Sequence, residues 1–194
     1  MQVRQGAVVG VVVAGALALA SCAGATPETS NSGDAMTPGA MVSQSPDVMT
    51  GSGGPTVVAE QLNFTATDVA TGASVDGASL AGKDTILWFW ASWCPICQSE
   101  APAVVAAAAQ LPDGVTLIGI PGRSDVASSQ GFIDGYGVGG FEHWYDDDGS
   151  IWSTFGVPTQ PAFALINDDG TVQTVPGALG TSDILAAAQK LLDS

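Results

Sequence analysis

Ile86-Leu87-Trp88-Phe89-Trp90-Ala91-Ser92-Trp93-Cys94-Pro95-Ile96-Cys97 decides how this chain is read. The stretch opens as a continuous apolar and aromatic run, the pattern of a strand covered on both faces. It closes on a Cys-x-x-Cys pair that leads into an Ala-rich segment of helical character. Cys94 stands at the cap of that helix, and Pro95 takes the first helical position, where a missing N–H costs nothing. Two thiols one helical turn apart can exchange a disulfide with other proteins, so in this context the pair reads as a redox centre.

Outward from that stretch the pattern alternates strands and helices. Upstream, residues 62–69, with Val57 and Val58, predict an entry strand or hairpin turned at Thr71-Gly72. A core strand is expected over 85–91 and a helix over 95–110, with Pro102 inside it as a kink. A second apolar strand follows over 115–120. Val126, Phe132, Ile133 and Tyr136 then recur at near-helical spacing across 124–136. A short strand is expected over 142–145, then an Asp146-Asp147-Asp148-Gly149 turn and a short helix over 150–155. Strands over 162–166 and 171–175 form a hairpin across 167–170. The chain closes on an amphipathic helix, 182–192, with Ile184, Leu185, Ala188, Leu191 and Leu192 on one side. The expected class is α/β, a mixed central sheet with helices on both faces.

The N-terminal region reads as targeting rather than fold. Arg4 supplies a positive start, and residues 6–20 are apolar and small, too short for a comfortable membrane span. Leu19-Ala20-Ser21-Cys22 resembles a bacterial lipobox. That likeness implies a signal peptide over 1–21 and a lipid on the Cys22 sulfur. The plainer alternative is ordinary secretory cleavage beside a chance cysteine. Residues 22–54 carry no hydrophobic period and read as a disordered tether. Met36, Met41 and Met49 fall there at irregular spacing, as linker residues rather than a copper-binding set. What remains, 55–194, is long enough for one domain with its own core.

The formal net charge of −15 argues against nucleic acid and against electrostatic docking on anionic lipid. Any anchoring must then come from the lipid, at roughly 0.8 kcal/mol per buried methylene. Export also fixes the compartment as one that permits disulfides. With Cys22 set aside, only Cys94 and Cys97 remain, so no structural disulfide framework is available.

Only a thiolate attacks or leaves in disulfide exchange. At a helix N-terminus, Cys94 meets unpaired backbone N–H groups and the positive end of the helix dipole, both of which favour a thiolate. It is the expected surface nucleophile, and Cys97, one turn in and less exposed, the resolving thiol. Trp93 is expected to shield the sulfur and offer substrate an apolar contact. A purely stabilising disulfide explains the pair poorly, since so short a loop constrains the unfolded chain by only about 2 kcal/mol. A metal site needs more ligands than two cysteines, and the sole histidine, His143, would have to be the third. His143 is expected instead as a surface or packing residue. Glu100, three residues beyond Cys97, is either a proton relay or a solvated helix charge. The Asp146–Asp148 run lacks the ligand spacing of a calcium loop and reads as turn and helix cap.

Phe89-Trp90-Ala91-Ser92-Trp93-Cys94-Pro95-Ile96-Cys97, Pro102, and Pro161 before Ala162-Phe163-Ala164-Leu165-Ile166-Asn167 together resemble the thioredoxin superfamily. Glu100 within Cys97-Gln98-Ser99-Glu100-Ala101-Pro102 narrows the likeness to the exported, membrane-tethered branch typified by TlpA and ResA. Gly122-Arg123-Ser124-Asp125-Val126 and Val157-Pro158-Thr159-Gln160-Pro161-Ala162-Phe163 are similar to actinobacterial secreted DsbE/DsbF-like thiol–disulfide oxidoreductases. The resemblance implies a thioredoxin-like domain over 55–194 and a cis peptide at Gln160-Pro161 whose backbone pairs with substrate. One departure is Trp88, where cytoplasmic thioredoxins carry a buried aspartate.

The likeness implies an enzyme that needs no cofactor beyond a redox-active Cys94–Cys97 disulfide. Its expected partners are exported cysteine-containing proteins and a membrane redox protein that resets the pair. Its expected place is the cell envelope, lipid-anchored to the outer face of the cytoplasmic membrane or shed from it. Oxidation of substrate thiols is the favoured direction. A reductase of the same fold, for cytochrome maturation or thiol repair, and a copper-binding lipoprotein are the alternatives.

Overall fold

The structure, a computed structural model, describes residues 60–194. The signal, Cys22, the tether and Val57-Val58 lie outside the described residues. In chain order the elements are β1 (Thr65–Asp68), β2 (Ser74–Asp76), β3 (Asp84–Trp90), α1 (Pro95–Ala108) and β4 (Val115–Pro121). They continue as α2 (Val126–Tyr136), β5 (Trp144–Tyr145), α3 (Ser150–Thr154), β6 (Ala162–Ile166), β7 (Val172–Pro176) and α4 (Thr181–Leu192). Short 3-10 turns at Glu60–Leu62 and Gly77–Leu80 flank the first hairpin.

β3 is the axis. All seven of its residues are buried, which explains why its sequence is apolar without alternation. β4 lies parallel to it, β6 antiparallel on its other side, and β7 beyond β6, giving the order β4-β3-β6-β7. Side chains still alternate in direction along the strand. Ile86, Trp88 and Trp90 enter a core that α1, α2 and α4 supply with Val104, Phe132 and Ile184. Leu87 and Phe89 enter the opposite core, covered by Ile151 and Trp152 of α3 together with Phe155 and Leu62. This is the expected α/β arrangement, a mixed sheet with helices on both faces.

The entry hairpin forms a sheet of its own. β1 pairs antiparallel with β2 and with β5, in the order β2-β1-β5. Gly72, at φ 70, makes the turn that residues 71–72 predicted. Isolated bridges Gly119–His143 and Gly122–Asp146 lay the β5 segment alongside β4. The β5 strand is only two residues long, so its pairing partner could not be read from periodicity.

Helix ends follow their capping residues. The Asp125 carboxylate accepts Ser128 N–H at 2.7 Å at the start of α2, and Gly137, at φ 69, ends it. α1 runs as one 14-residue helix through Pro102, which is exposed and deprives Gln98 O of its intrahelical donor.

Three segments meet at the C-terminal end of β3. Ala162, the first residue of β6, pairs with Phe89, so Pro161 arrives beside the end of the strand. Pro121, the last residue of β4, pairs with Trp90, and Gly122 N–H donates to Trp90 O at 3.1 Å. The cysteine loop leaves from the same place, with Cys94 N–H donating to Ala91 O at 3.1 Å.

Candidate active site

Cys94 is the N-cap of α1. Its Sγ accepts the Cys97 N–H at 3.2 Å, in the role a serine or aspartate oxygen usually fills. Both cysteines are free thiols. The expectation of a surface sulfur needs correcting: Cys94 is only 3% exposed and Cys97 fully buried. Capping turns the Cys94 sulfur inward over the helix end, while its neighbours Trp93 and Ile96 stand out at 56% and 55% exposed. The order of exposure is as expected, and the chain neighbours of Cys94 present an exposed apolar surface.

Burial pushes the Cys97 thiol far above its ordinary range. The hydrogen bond with Cys94 acts in the same direction, as do the charges of Cys94 and Glu100, against an opposing bond involving Ala91. Cys97 therefore stays protonated unless a nearby base accepts its proton.

Glu100 is the carboxyl whose charge acts on the Cys97 thiol. It is 5% exposed, so the solvated-charge alternative is excluded. Its Oε2 accepts Trp88 Nε1–H at 2.9 Å, and its Oε1 accepts Leu179 N–H at 2.6 Å. Burial raises the carboxyl, and the bonds from Leu179 and Trp88 pull it partly back, leaving it at about 7. The indole at position 88 thus stands on the buried strand as the donor to this carboxyl.

Around the cysteines, Trp93 Nε1–H donates to Arg123 O at 2.8 Å, and Gln98 Nε2–H donates to Ser92 O at 3.0 Å. The Gln160–Pro161 peptide is cis, Gln160 is half-buried and Pro161 buried. Trp93, Cys94, Cys97 and Glu100 belong to one loop and helix, and Gln160 and Pro161 join them at the end of β3.

His143 is not part of this group. It is buried against Trp90 and Phe141, ring centres 5.6 and 4.7 Å away. Its Nε2–H donates to Val138 O at 2.9 Å, since a carbonyl only accepts. Burial holds it near a pKa of about 4, hence neutral. Among the described residues no group of three or more His, Cys, Asp or Glu side chains is placed to hold a metal ion. Asp146 accepts Gly149 N–H at 3.0 Å and Trp152 N–H at 2.9 Å, the turn and cap duty expected of it.

Two participants escaped the sequence reading. Leu179 lies 79 residues from the carboxylate it meets. Arg123 sits at φ 56, in the left-handed region, and its side chain reaches the segment before Pro161. The sequence marks Arg123 only as part of the Gly122–Val126 stretch that carries the resemblance, without a role for its side chain.

Known proteins resemble this chain in sequence and fold. The chain is 44% identical over 137 residues to the soluble secreted antigen MPT53 of Mycobacterium tuberculosis, covering 70% of this chain and 78% of the relative. The structure of MTB dsbF, in mixed oxidised and reduced forms, superposes with a TM-score of 0.66 at 41% identity, over 69% of this chain and 98% of that one. A secreted Mycobacterium tuberculosis disulfide oxidoreductase homologous to E. coli DsbE gives a TM-score of 0.62 at 42% identity, over 68% and 98% of the two chains. The AhpC/TSA family model matches residues 58–175, which span both cysteines, Glu100, Arg123 and Pro161. With a Cys-x-x-Cys capping a helix at the end of a buried strand, and with these homologues, the chain belongs to the AhpC/TSA family and is a thioredoxin-like homologue of secreted thiol–disulfide oxidoreductases.

Proposed function

We propose that the protein is a thiol–disulfide oxidoreductase of the cell envelope, held at the membrane by a lipid on Cys22, that oxidises cysteine pairs in exported proteins. The observation that carries the direction is Cys94 as the cap of α1, its sulfur taking the Cys97 N–H. A helix N-terminus favours an anion at its cap, and a site that stabilises the reduced form makes the disulfide a stronger oxidant. Below about pH 7 Glu100 is neutral and adds no fixed negative charge to the site.

The steps balance as follows. A substrate thiolate attacks Cys94 Sγ of the Cys94–Cys97 disulfide. The S–S bond breaks, a mixed disulfide forms at Cys94, and Cys97 leaves with the electron pair, taking a proton from Glu100. The second substrate thiolate attacks the substrate sulfur of the mixed disulfide and releases Cys94. The substrate gives two electrons to the pair and its two thiol protons to solvent; Cys97 ends protonated by Glu100, Cys94 is released as the thiolate, and Glu100 regains its proton from solvent. Another disulfide donor at the membrane then reoxidises the pair.

Equilibration of the full chain with glutathione tests the direction. A potential near −120 mV supports oxidation, and one near −270 mV assigns the protein to thiol reduction, a reductase on the same site. The anchor is tested by labelling with a radioactive fatty acid: incorporation is expected, and its persistence in Cys22→Ala would exclude that attachment.

A further inference from the structure

Arg123 has no part in the exchange steps, yet it touches three segments at the end of β3. Its carbonyl oxygen accepts Trp93 Nε1–H at 2.8 Å. Its Nη2–H donates to Pro158 O at 2.8 Å, and its Nη1–H reaches Gln160 Oε1 at 3.4 Å. The guanidinium carbon lies 4.8 Å from the centre of the Trp152 ring. Trp152 is itself fixed, its Nε1–H donating to Ile120 O at 3.1 Å.

The local backbone is shaped for this seat. Arg123, at φ 56, is the one non-glycine in the left-handed region among the described residues. A side chain holds that region only where its surroundings over-determine it, and such residues concentrate at functional sites. Gly122 must lack a side chain, because a Cβ there would stand 2.8 Å from Trp152 Nε1 and 3.0 Å from Cε2. The left-handed turn lets the backbone of residue 123 hold Trp93 while its side chain holds residues 158–160.

Those two segments flank Cys94. One carries the exposed indole next to it, and the other leads into the Gln160–Pro161 peptide. We propose that Arg123 is a positioning residue for exchange with protein substrates, setting the spacing between Trp93 and residues 158–161 so that an extended cysteine-containing segment seats against Cys94. The assignment rests on the thiol–disulfide reading of the site. A guanidinium suits this task because its planar fork directs two N–H groups at separate acceptors while its face covers an indole. Lysine at this position would reach one acceptor and lack the planar fork.

The contrast between large and small substrates tests it. Dithiothreitol presents little beyond its sulfurs and needs no walls, whereas a peptide must be seated. Arg123→Gly keeps the left-handed backbone at no steric cost and removes only the side chain. In the full chain, Arg123→Gly is expected to raise KM for a cysteine-containing peptide about tenfold, the loss of roughly one net hydrogen bond of positioning. kcat and the rate with dithiothreitol should stay within about twofold of wild type. Arg123→Lys should recover only part of the loss, because one acceptor regains a donor. An unchanged peptide KM in Arg123→Gly overturns the proposal, and so does equal slowing of both substrates, which would mark Arg123 as a support of the fold. Wild-type protein that exchanges with neither substrate would overturn the underlying thiol reading, and this assignment with it.

Discussion

The indole of Trp88 donates to Glu100 at 2.9 Å, joining the buried strand β3 to the first half of helix α1 directly beside the cysteine pair. The bond holds a carboxyl that burial would otherwise drive higher, and with Leu179 N–H it leaves Glu100 at about 7. A carboxyl poised there can take a proton from Cys97 or return one at neutral pH, as a general acid–base group should.

Its contribution is measurable in a single turnover. On the proposed reading, Cys97 attacks a mixed disulfide at Cys94 as its proton passes to ionised Glu100, so the rate should rise with pH through about 7 and then level. Glu100→Gln should lower the rate at pH 7.5 by about 10²-fold, the lower end for general base catalysis, and move the rise to alkaline pH. Trp88→Phe removes a bond that lowers Glu100, so its midpoint should move above 7. Stopped-flow release of a fluorescent peptide thiol reads both effects. A rate independent of pH in wild type between 6 and 8 would remove Glu100 from the proton path.

Stability against pH offers a second measurement, because two buried groups act in opposite directions. Glu100 has a folded pKa raised from 4.5 to about 7. Between those values the unfolded state has released its proton and the folded state has not, so stability falls as pH rises through this window. His143 has a folded pKa lowered from 6.5 to about 4. There the unfolded state binds the proton first, so stability is lost as pH falls from 6.5 to 4. Each amounts to about 3 kcal/mol across its window, and over the shared range they nearly cancel. Denaturant midpoints for wild type should therefore change little from pH 4.5 to 6.5. Glu100→Gln should leave a curve that rises with pH, and His143→Gln one that falls. The slope is the quantity to compare, because Gln at position 100 leaves Trp88 or Leu179 N–H unmatched and lowers stability at every pH.

The element order and the cysteine site were legible because they rest on local signals. An unbroken apolar run, a proline at the first helical turn and glycine turns place β3, α1 and the hairpins within a few residues. Glu100 was ambiguous for a physical reason: its burial depends on Leu179 and Trp88, distant in sequence, and α1 is too rich in alanine to mark one buried side. Arg123 was unreadable in a different way. Its role depends on a left-handed backbone at a residue that rarely adopts one, and on carbonyl partners that carry no sequence signature. The inward turn of the Cys94 sulfur follows from its capping bond to Cys97 N–H, a burial that the capping position did not announce in the sequence.

Gly119 tests the packing of the strand behind the site. A Cβ there would collide with His143 Nδ1 and come within 2.8 Å of Trp90 Nε1. Both rings are buried and fixed, Trp90 by stacking on Phe132 at 4.3 Å and His143 by its bond to Val138 O. Neither can retreat cheaply, so Gly119→Ala should cost about 1–3 kcal/mol in urea unfolding, the range for overpacking a core. A loss below about 0.5 kcal/mol would mean that the His143 ring can move aside.

The two cysteines should behave differently when each is removed. Cys94 keeps a small exposure, 3%, beside exposed Trp93 in the chain, while Cys97 is fully buried. Cys94→Ala should therefore abolish exchange, because Cys97 is both enclosed and held protonated. Cys97→Ala leaves Cys94 able to attack a disulfide in an exported protein with no Cys97 to displace it, so substrates with no second thiol in reach should remain attached at Cys94. Mass spectrometry of envelope proteins purified with each variant distinguishes the outcomes. Covalent partners on Cys97→Ala and none on Cys94→Ala are expected. The reverse pattern would exchange the two roles and would require Cys97 to become exposed during the reaction.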